Sequence, residues 1–243
     1  MSIAEKLQTI AENQQKVYDA GNEKGLSVGR SVVDGTITEY KDNSVEYISG
    51  FTFYQAYALA SVDAPAAAQV GTSAFYQCSA LKTANLPEVT VINNGAFTSC
   101  IALNSITIPK VEAIGQSVFQ NCQELRQIYI PKCFMLERSA FVSCTSLARV
   151  DMTEEKPTEY IAAAYINASA FSNCTSLATL IIRLNEVVTL QSANAFASTP
   201  IASGRGRIFV PRSMVSAYKA ATNWSTYADY ILAIEDYPSI TKR

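Results

Sequence analysis

The sequence predicts a mainly β protein, a right-handed solenoid of about seven coils that is capped at both ends and carries short terminal helices. The first observation is an internal repeat, because phenylalanine recurs at separations of 22, 22, 22, 22, 30 and 25 residues. Four identical separations in succession favour stacked copies of one structural unit. The second is that only 16% of residues are charged, below the roughly 25% of soluble domains, which favours stacked β-coils over helices with charged outer faces. The repeated phenylalanines are Phe53, Phe75, Phe97, Phe119, Phe141, Phe171 and Phe196.

Each unit carries two short apolar segments whose spacing predicts two β-strands. In one unit, Ile106 and Ile108 alternate with a polar residue, as in a strand with one buried face. Pro109 then ends the strand, since proline lacks the N–H that a further ladder bond needs. Val111 and Ile114 form a second inward pair and predict another short strand on the opposite side of the coil. One such unit has a single apolar side, so only stacked coils bury a continuous core.

The six cysteines are expected to be reduced residues of the core. Five of them share one column, three residues after a repeat phenylalanine, and the sixth, Cys133, replaces a core aliphatic residue in another column. A free cysteine packs as a small buried hydrophobe. No two cysteines have the paired spacing of about two to four residues that a cysteine-only zinc site needs, so no metal site is predicted. The members of the column are Cys78, Cys100, Cys122, Cys144 and Cys174.

The composition as a whole predicts a chain that is not an enzyme and uses no cofactor. It contains no histidine, which removes the commonest general base and the commonest nitrogen ligand of metals. The 19 basic and 21 acidic residues give a net charge of −2 without a basic tract, which argues against nucleic acid as a partner. No apolar stretch approaches the ~18 residues of a membrane span, so no membrane insertion is expected.

Four regions are predicted along the chain: an N-terminal helix with a glycine-containing linker (1–29), an N-terminal cap or first coil (30–52), the solenoid (53–210) and a C-terminal helical cap (211–243). Residues 3–20 carry an apolar stripe, which packs on the open first coil, forms a homo-oligomer, or belongs to a mobile tail joined by the glycine-containing linker. Val33 to Ile48 are expected to form a hairpin-like first coil, and Thr153 to Tyr160 a solvated loop where the period lengthens. The start of the chain lacks the pattern of a secretory signal, so its location stays open between the cytoplasm and a surface reached through a removed leader.

Two of the units resemble the BspA-type leucine-rich repeat in its cysteine-bearing form. They read Ala96-Phe97-Thr98-Ser99-Cys100-Ile101-Ala102-Leu103 and Ala140-Phe141-Val142-Ser143-Cys144-Thr145-Ser146-Leu147. The lead-in Val33-Asp34-Gly35-Thr36-Ile37-Thr38 and the closing Tyr218-Lys219-Ala220-Ala221-Thr222-Asn223-Trp224 are similar to flanks of that family in gut bacteria and their prophages. The resemblance covers roughly residues 30 to 235. It implies a leucine-rich-repeat solenoid that serves as a surface or adhesion-type recognition protein, or as a phage-associated accessory protein.

The candidate partner-binding surface is the outward side of the first strand in each coil. The outward side chains are short and polar in the early coils and include tyrosine, arginine and large apolar residues in the later ones. Tyrosine and arginine are enriched at recognition sites, so the later coils are predicted to contact a partner. Ile181 and Phe209 are expected to be exposed there or, alternatively, to lie under the inserted loop or the C-terminal cap. The candidate residues are Arg126, Tyr129, Arg149, Asp151, Ile181 and Phe209.

The leading functional interpretation is non-catalytic recognition of a protein or glycan on another surface. The alternative is a phage or prophage structural accessory protein that oligomerises through its N-terminal helix. The mass in solution distinguishes the two, since a stable trimer favours the accessory protein and a monomer favours the recognition module.

Overall fold

The computed structural model describes residues 37–154 and 163–241. The predicted N-terminal helix, its linker and most of the predicted solvated loop lie outside the described residues. The described chain is a stack of parallel coils, which confirms the predicted mainly β solenoid with short helices at its C-terminal end.

The coils contribute short parallel strands to two sides of the stack. The front face carries the odd-numbered strands together with β16, and the back face carries the even-numbered strands up to β14. In chain order the strands are β1 (Glu39–Lys41), β2 (Tyr47–Ile48), β3 (Ser61–Asp63), β4 (Gln69–Val70), β5 (Thr83–Asn85), β6 (Val91–Ile92), β7 (Ser105–Thr107), β8 (Ala113–Ile114), β9 (Gln127–Ile130), β10 (Met135–Leu136), β11 (Arg149–Met152), β12 (Tyr165–Ile166), β13 (Thr179–Ile182), β14 (Thr189–Leu190), β15 (Arg207–Val210) and β16 (Ile231–Ala233).

Helical structure in the described residues gathers towards the C-terminus. Two short α-helices follow the last coils, one 3-10 helix precedes β15, and the other 3-10 helices flank the α-helices. The α-helices are α1 (Val215–Ala220) and α2 (Pro238–Thr241), and the 3-10 helices are Ala193–Phe196, Arg212–Met214, Trp224–Tyr230 and Ile234–Asp236.

The strands pair in the register that the repeat predicts. On the back face, β2 to β14 form one seven-stranded sheet, whereas the front face is divided into a four-stranded sheet (β1, β3, β5, β7) and a five-stranded sheet (β9, β11, β13, β15, β16). Val62 pairs with Ala84, and Ala84 pairs with Ile106, each one repeat further along the chain. The predicted strand phase is therefore confirmed.

The first described coil is parallel to the others, so the predicted hairpin is wrong. β1 pairs with β3, and β2 pairs with β4, both in parallel. A parallel first coil extends both faces of the stack at once, and it covers edges of the next coil that a hairpin would leave unpaired.

The repeat phenylalanines form a column of stacked rings along the solenoid. Neighbouring ring centroids lie 4.9 to 5.5 Å apart from Phe53 to Phe196, with interplanar angles of at most 14°. Parallel coils that repeat every ~4.8 Å place identical side chains at stacking distance. Tyr40 packs against the first ring, and Trp224 and Tyr227 pack against the last.

The cysteine column runs beside these rings, and all six cysteines are free and buried, as predicted. Each thiol of the column donates a hydrogen bond to the carbonyl oxygen of a phenylalanine in the preceding coil, as Cys100 does to Phe75 at 3.0 Å. Burial raises the pKa of Cys122, and it raises the pKa of Cys133 to about 12. Burial therefore keeps Cys122 and Cys133 protonated, and the thiols of the column fill the core while each donates a hydrogen bond to a carbonyl.

The helical segment after β15 covers the exposed edge of the back sheet. Trp224 Nε1 donates to the carbonyl of Val188 at 2.6 Å, and Asn223 Nδ2 donates to the carbonyl of Leu190 at 2.7 Å. The hydroxyl of Tyr218 accepts from the Val188 N–H at 3.0 Å. Side chains thus make the hydrogen bonds that a further coil would otherwise make to β14 and the residue before it. An uncovered edge strand is prone to pair with other chains and aggregate, and this segment covers it.

Candidate functional site

The front face is interrupted between its fourth and fifth strands. In the described residues no β-bridge joins β7 to β9, although the back strands of the same coils, β8 and β10, stay paired. A cleft of about 470 Å³ opens at this interruption. It is lined by Asn104, Ser105, Ile106, Gln127, Ile128, Tyr129, Arg149 and Asp151.

The cleft reaches an apolar floor that belongs to the core. Ile106 occupies an inward position of β7 but is only partly buried, whereas its column neighbours Ala84 and Ile128 are buried. Amide and hydroxyl groups therefore surround an apolar base, the composition that small-ligand and side-chain pockets share.

Asp151 is the centre of an ion cluster on one wall of the cleft. Its side chain is 5% exposed, and its carboxylate accepts bonds from Arg183 Nε at 2.9 Å and Arg183 Nη2 at 2.8 Å. Arg149 Nη2 adds a third bond at 3.2 Å. A buried carboxylate is costly unless it is paired in this way, and two-pronged binding fixes the orientation of both groups. Asp151 thus holds the guanidinium of Arg149 at the cleft.

Tyr129 is held in place by contacts with the same ion cluster. Its hydroxyl donates to Glu154 Oε1 at 3.3 Å, and that oxygen lies 3.4 Å from Arg183 Nε. The residue is nevertheless 42% exposed, so much of its ring faces solvent. The contacts link the strands β9, β11 and β13 and keep one aromatic and one cationic group side by side at the cleft.

Three of the six predicted partner-binding residues are buried, so the expectation that they are exposed is wrong. Ile181 and Phe209 are 0% and 2% exposed, and Asp151 is 3% exposed. Ile181 and Phe209 lie outside the main apolar core, and the ring of Tyr237 lies 5.4 Å from that of Phe209. The alternative, that the C-terminal cap covers this part of the face, is confirmed for Phe209. Alternation within a strand shows which side a residue faces, not what covers that side.

The structure brings Tyr129, Arg149 and Asp151 together at the cleft and leaves the other predicted residues outside it. Arg126 is exposed just before β9 and does not line the cleft. Ile181 and Phe209 pair with one another in register further along the front face. The candidate site is therefore the cleft with its ion cluster, and Arg126 lies next to it in sequence.

Two charged members of the cluster, Glu154 and Arg183, are absent from the sequence-based prediction. A signal for them exists, because one column of the repeat is proline in most coils but changes to Thr153 and Arg183 in two consecutive ones. The amides of Asn104 and Gln127 gave no such signal, since the regular 22-residue period does not reveal where neighbouring strands separate. The coils with proline in this column have it at Pro65, Pro87, Pro109, Pro131 and Pro211.

The described residues contain neither a candidate metal site nor a candidate membrane span. Across 37–154 and 163–241, no three His, Cys, Asp or Glu residues are grouped so as to hold a metal ion. Within the same ranges, none of the helices is long and apolar enough to cross a membrane.

Stacked parallel coils with short strands on two sides and a regular spacing of phenylalanine and leucine define a leucine-rich-repeat solenoid. Six copies of the BspA type leucine rich repeat region match residues 37–148 and 161–205. The chain belongs to the BspA-type leucine-rich-repeat family, which confirms the resemblance seen in its repeat units. No curated protein matches the chain in sequence.

Solved structures of bacterial leucine-rich-repeat proteins share the fold. The T. pallidum leucine rich repeat protein matches with a TM-score of 0.58 and 22% identity, over 70% of this chain and 81% of that one. A protein from Eubacterium ventriosum matches with a TM-score of 0.53 and 23% identity, over 68% and 44%. One from Bacteroides ovatus matches with 0.52 and 21%, over 73% and 52%. The chain thus spans about half the length of the latter two proteins.

Proposed function

We propose that the chain is a non-catalytic recognition module that binds a protein or glycan on another surface through its front face, with the cleft between β7 and β9 at the centre. The observation that carries the proposal is that Tyr129 and Arg149 line the cleft and are both held by buried or half-buried carboxylates. Side chains that are ordered before binding lose little conformational entropy when a partner docks.

The chemistry of the cleft supports this kind of partner. Ile106 and Ile128 offer an apolar floor, while Asn104 and Gln127 offer both donors and acceptors, and Tyr129 offers an amphipathic ring. A protein side chain or a sugar ring can stack its carbon atoms on such a surface and form hydrogen bonds at the rim. The family membership, which concerns a repeat scaffold, is consistent with a binding role on that surface.

A binding role is also favoured over catalysis by the state of the carboxylate in the cleft. Both oxygens of Asp151 accept hydrogen bonds from Arg183, and one of them also accepts a bond from Arg149. A general base needs a carboxylate that can reach and accept a substrate proton. Asp151 is occupied by structural partners and serves to position the arginines.

The proposal is tested by capture from cell-surface extracts and by glycan arrays, using the full chain immobilised on beads. The Arg126→Ala/Tyr129→Ala variant removes two exposed side chains beside the cleft and leaves Asp151 paired. The matched control, Lys82→Ala/Tyr57→Ala, removes one exposed cationic and one exposed tyrosine side chain from the early coils. Thermal unfolding verifies that both variants fold.

The first variant is expected to lose affinity for the partner by about tenfold or more, because Tyr129 lines the cleft at the proposed centre of the interface, where tyrosine side chains carry much of the binding energy. The control is expected to bind as the parent does. If the Arg126→Ala/Tyr129→Ala variant keeps every partner at the parent's affinity, the binding face lies elsewhere and the proposal is wrong.

A further inference from the structure

The last described residues turn back across the front face. After β16, the segment 234–241, here called the tail, passes through a 3-10 turn into α2 and adds no strand to the sheet. The tail touches the face at two points three residues apart. The ring of Tyr237 meets that of Phe209 edge-on, at an interplanar angle of 63°, and the carbonyl of Ile240 accepts a hydrogen bond from Arg149 Nη1.

The surface at the first contact point is a small apolar patch formed by Phe209 and Ile181, here called the slot. Phe209 and Ile181 are neighbours in register on β15 and β13, they face away from the main core, and both are buried. Outward Phe and Ile side chains on a strand face would otherwise form an exposed apolar patch, which in soluble proteins marks an interaction site. Here one ring of the chain itself, that of Tyr237, packs against the Phe209 side of that patch.

The tail is at the surface rather than embedded in the fold. Tyr237 and Ile240 are 37% and 42% exposed, and Pro238 and Ser239 between them are also exposed. At its start, Asp236 forms an ion pair with Arg212 in which both side chains are exposed. Exposed ion pairs contribute little in water and weaken with salt. Segments of this kind open locally without unfolding the rest of the molecule.

We propose that the Phe209–Ile181 slot is a peptide-binding site that the tail occupies within its own chain. The ligand class is a short peptide with an aromatic residue that is followed by at least three more residues. Its aromatic ring takes the place of the Tyr237 ring, and the carbonyl of the third following residue takes the place of the Ile240 carbonyl. In the structure, the Tyr237 ring and the Ile240 carbonyl of the tail already make these two contacts. The inference goes beyond the proposed function, because Phe209 and Ile181 lie outside the cleft and only Arg149 is shared with it.

The test uses the full-length Tyr237→Ala protein and a fluorescent, C-terminally amidated peptide of residues 234–241, Ile-Glu-Asp-Tyr-Pro-Ser-Ile-Thr. Fluorescence anisotropy is expected to show saturable binding at least about tenfold tighter than to the parent chain, whose own ring fills the slot. The same peptide with alanine in place of tyrosine is expected to bind about tenfold more weakly, because it lacks the buried ring.

Tyr57→Ala is the matched control, since it removes an exposed tyrosine from the first coils, and it is expected to bind the peptide no better than the parent. Arg212→Ala, which loosens the tail by a different route, is expected to raise peptide binding above that of the parent. Thermal unfolding checks that each variant is folded. If folded Tyr237→Ala and Arg212→Ala proteins bind the peptide no better than the parent, the tail is a fixed cap and the slot is not a peptide site. Retention of every partner by the Arg126→Ala/Tyr129→Ala variant, which would overturn the proposed function, would leave this result unchanged, so the two proposals fail separately.

Discussion

Arg183 donates two hydrogen bonds to the carboxylate of Asp151, from Nε at 2.9 Å and from Nη2 at 2.8 Å. The two residues are 32 positions apart in the sequence. The pair joins neighbouring coils, because Asp151 lies in β11 and Arg183 directly follows β13, its partner strand. The pair lies next to Thr153, in the unit where the period of the repeat lengthens from 22 to 30 residues. The bond thus ties two coils together at the point where the period of the repeat is broken, and it orients Arg149 at the cleft.

Arg183→Ala is expected to lower the free energy of unfolding by about 1–3 kcal/mol, because it leaves a buried carboxylate with fewer partners. Urea unfolding of the single variants and of Asp151→Ala/Arg183→Ala forms a double-mutant cycle. The double variant is expected to lose less than the sum of the two single losses. Additive losses would mean that the two side chains are not coupled.

The alternation of inward and outward residues along the front strands predicts that aspartate substitutions destabilise inward positions much more than outward ones. Ile128→Asp places an unpaired charge in the buried core and is expected to cost more than about 4 kcal/mol or to prevent folding. Thr107→Asp alters an exposed position and is expected to change stability by about 0.5 kcal/mol or less. Ile106→Asp is expected to fall between them, because the cleft admits solvent to that residue. Melting temperatures measure the order, and equal losses at positions 107 and 128 would show that the phase is wrong.

The thiols are expected to be unreactive in the folded protein even at alkaline pH. Burial raises the pKa of Cys133 to about 12 and raises those of Cys100, Cys122 and Cys144, so raising the pH from 7 to 9 forms almost no thiolate there. Titration with a thiol reagent is expected to detect six thiols in denaturant and few before unfolding. Two or more native disulfides, or fast labelling at pH 9, would contradict the buried column.

The C-terminal cap can be probed at Trp224 with two substitutions. Trp224→Phe keeps most of the apolar volume but removes the donor to the Val188 carbonyl, and it is expected to cost about 1–2 kcal/mol. Trp224→Ala also leaves a cavity against Phe196 and is expected to cost about 3–5 kcal/mol. Chemical unfolding separates the two values. A Trp224→Phe variant as stable as the parent would show that the hydrogen bond to the edge contributes nothing net.

The fold was largely predictable from the sequence because its determinants are local and repeated. Phe97 and Phe119 occupy equivalent positions 22 residues apart, so a single unit predicts the packing of every regular coil. The burial of Phe209 was not predictable in this way, because the tail that covers it is not a repeat and its path depends on tertiary contacts. The cleft was not predictable from the sequence either, because β7 and β9 follow the regular repeat although no bridge joins the two strands.

The candidate site was predictable only in part. Tyr129 and Arg149 stand out as large side chains in columns that are short and polar in earlier coils. Arg183 could have been noticed from the loss of proline in its column, but the pairing with Asp151 requires knowledge of how the coils stack. A repeat therefore shows which residues depart from their column, but it does not show which of those residues contact one another in the folded protein.

Hydrogen–deuterium exchange with and without a captured partner tests most directly whether the front face at the cleft is the binding surface. Peptides that cover the unbridged strands β7 and β9 are expected to gain protection in the complex, because their cleft-lining residues become covered. The equivalent strands of the early coils, β3 and β5, are expected to stay unchanged and serve as the internal control. Protection confined to β3 and β5 or to the back face, with β7 and β9 unchanged, would contradict recognition at the cleft.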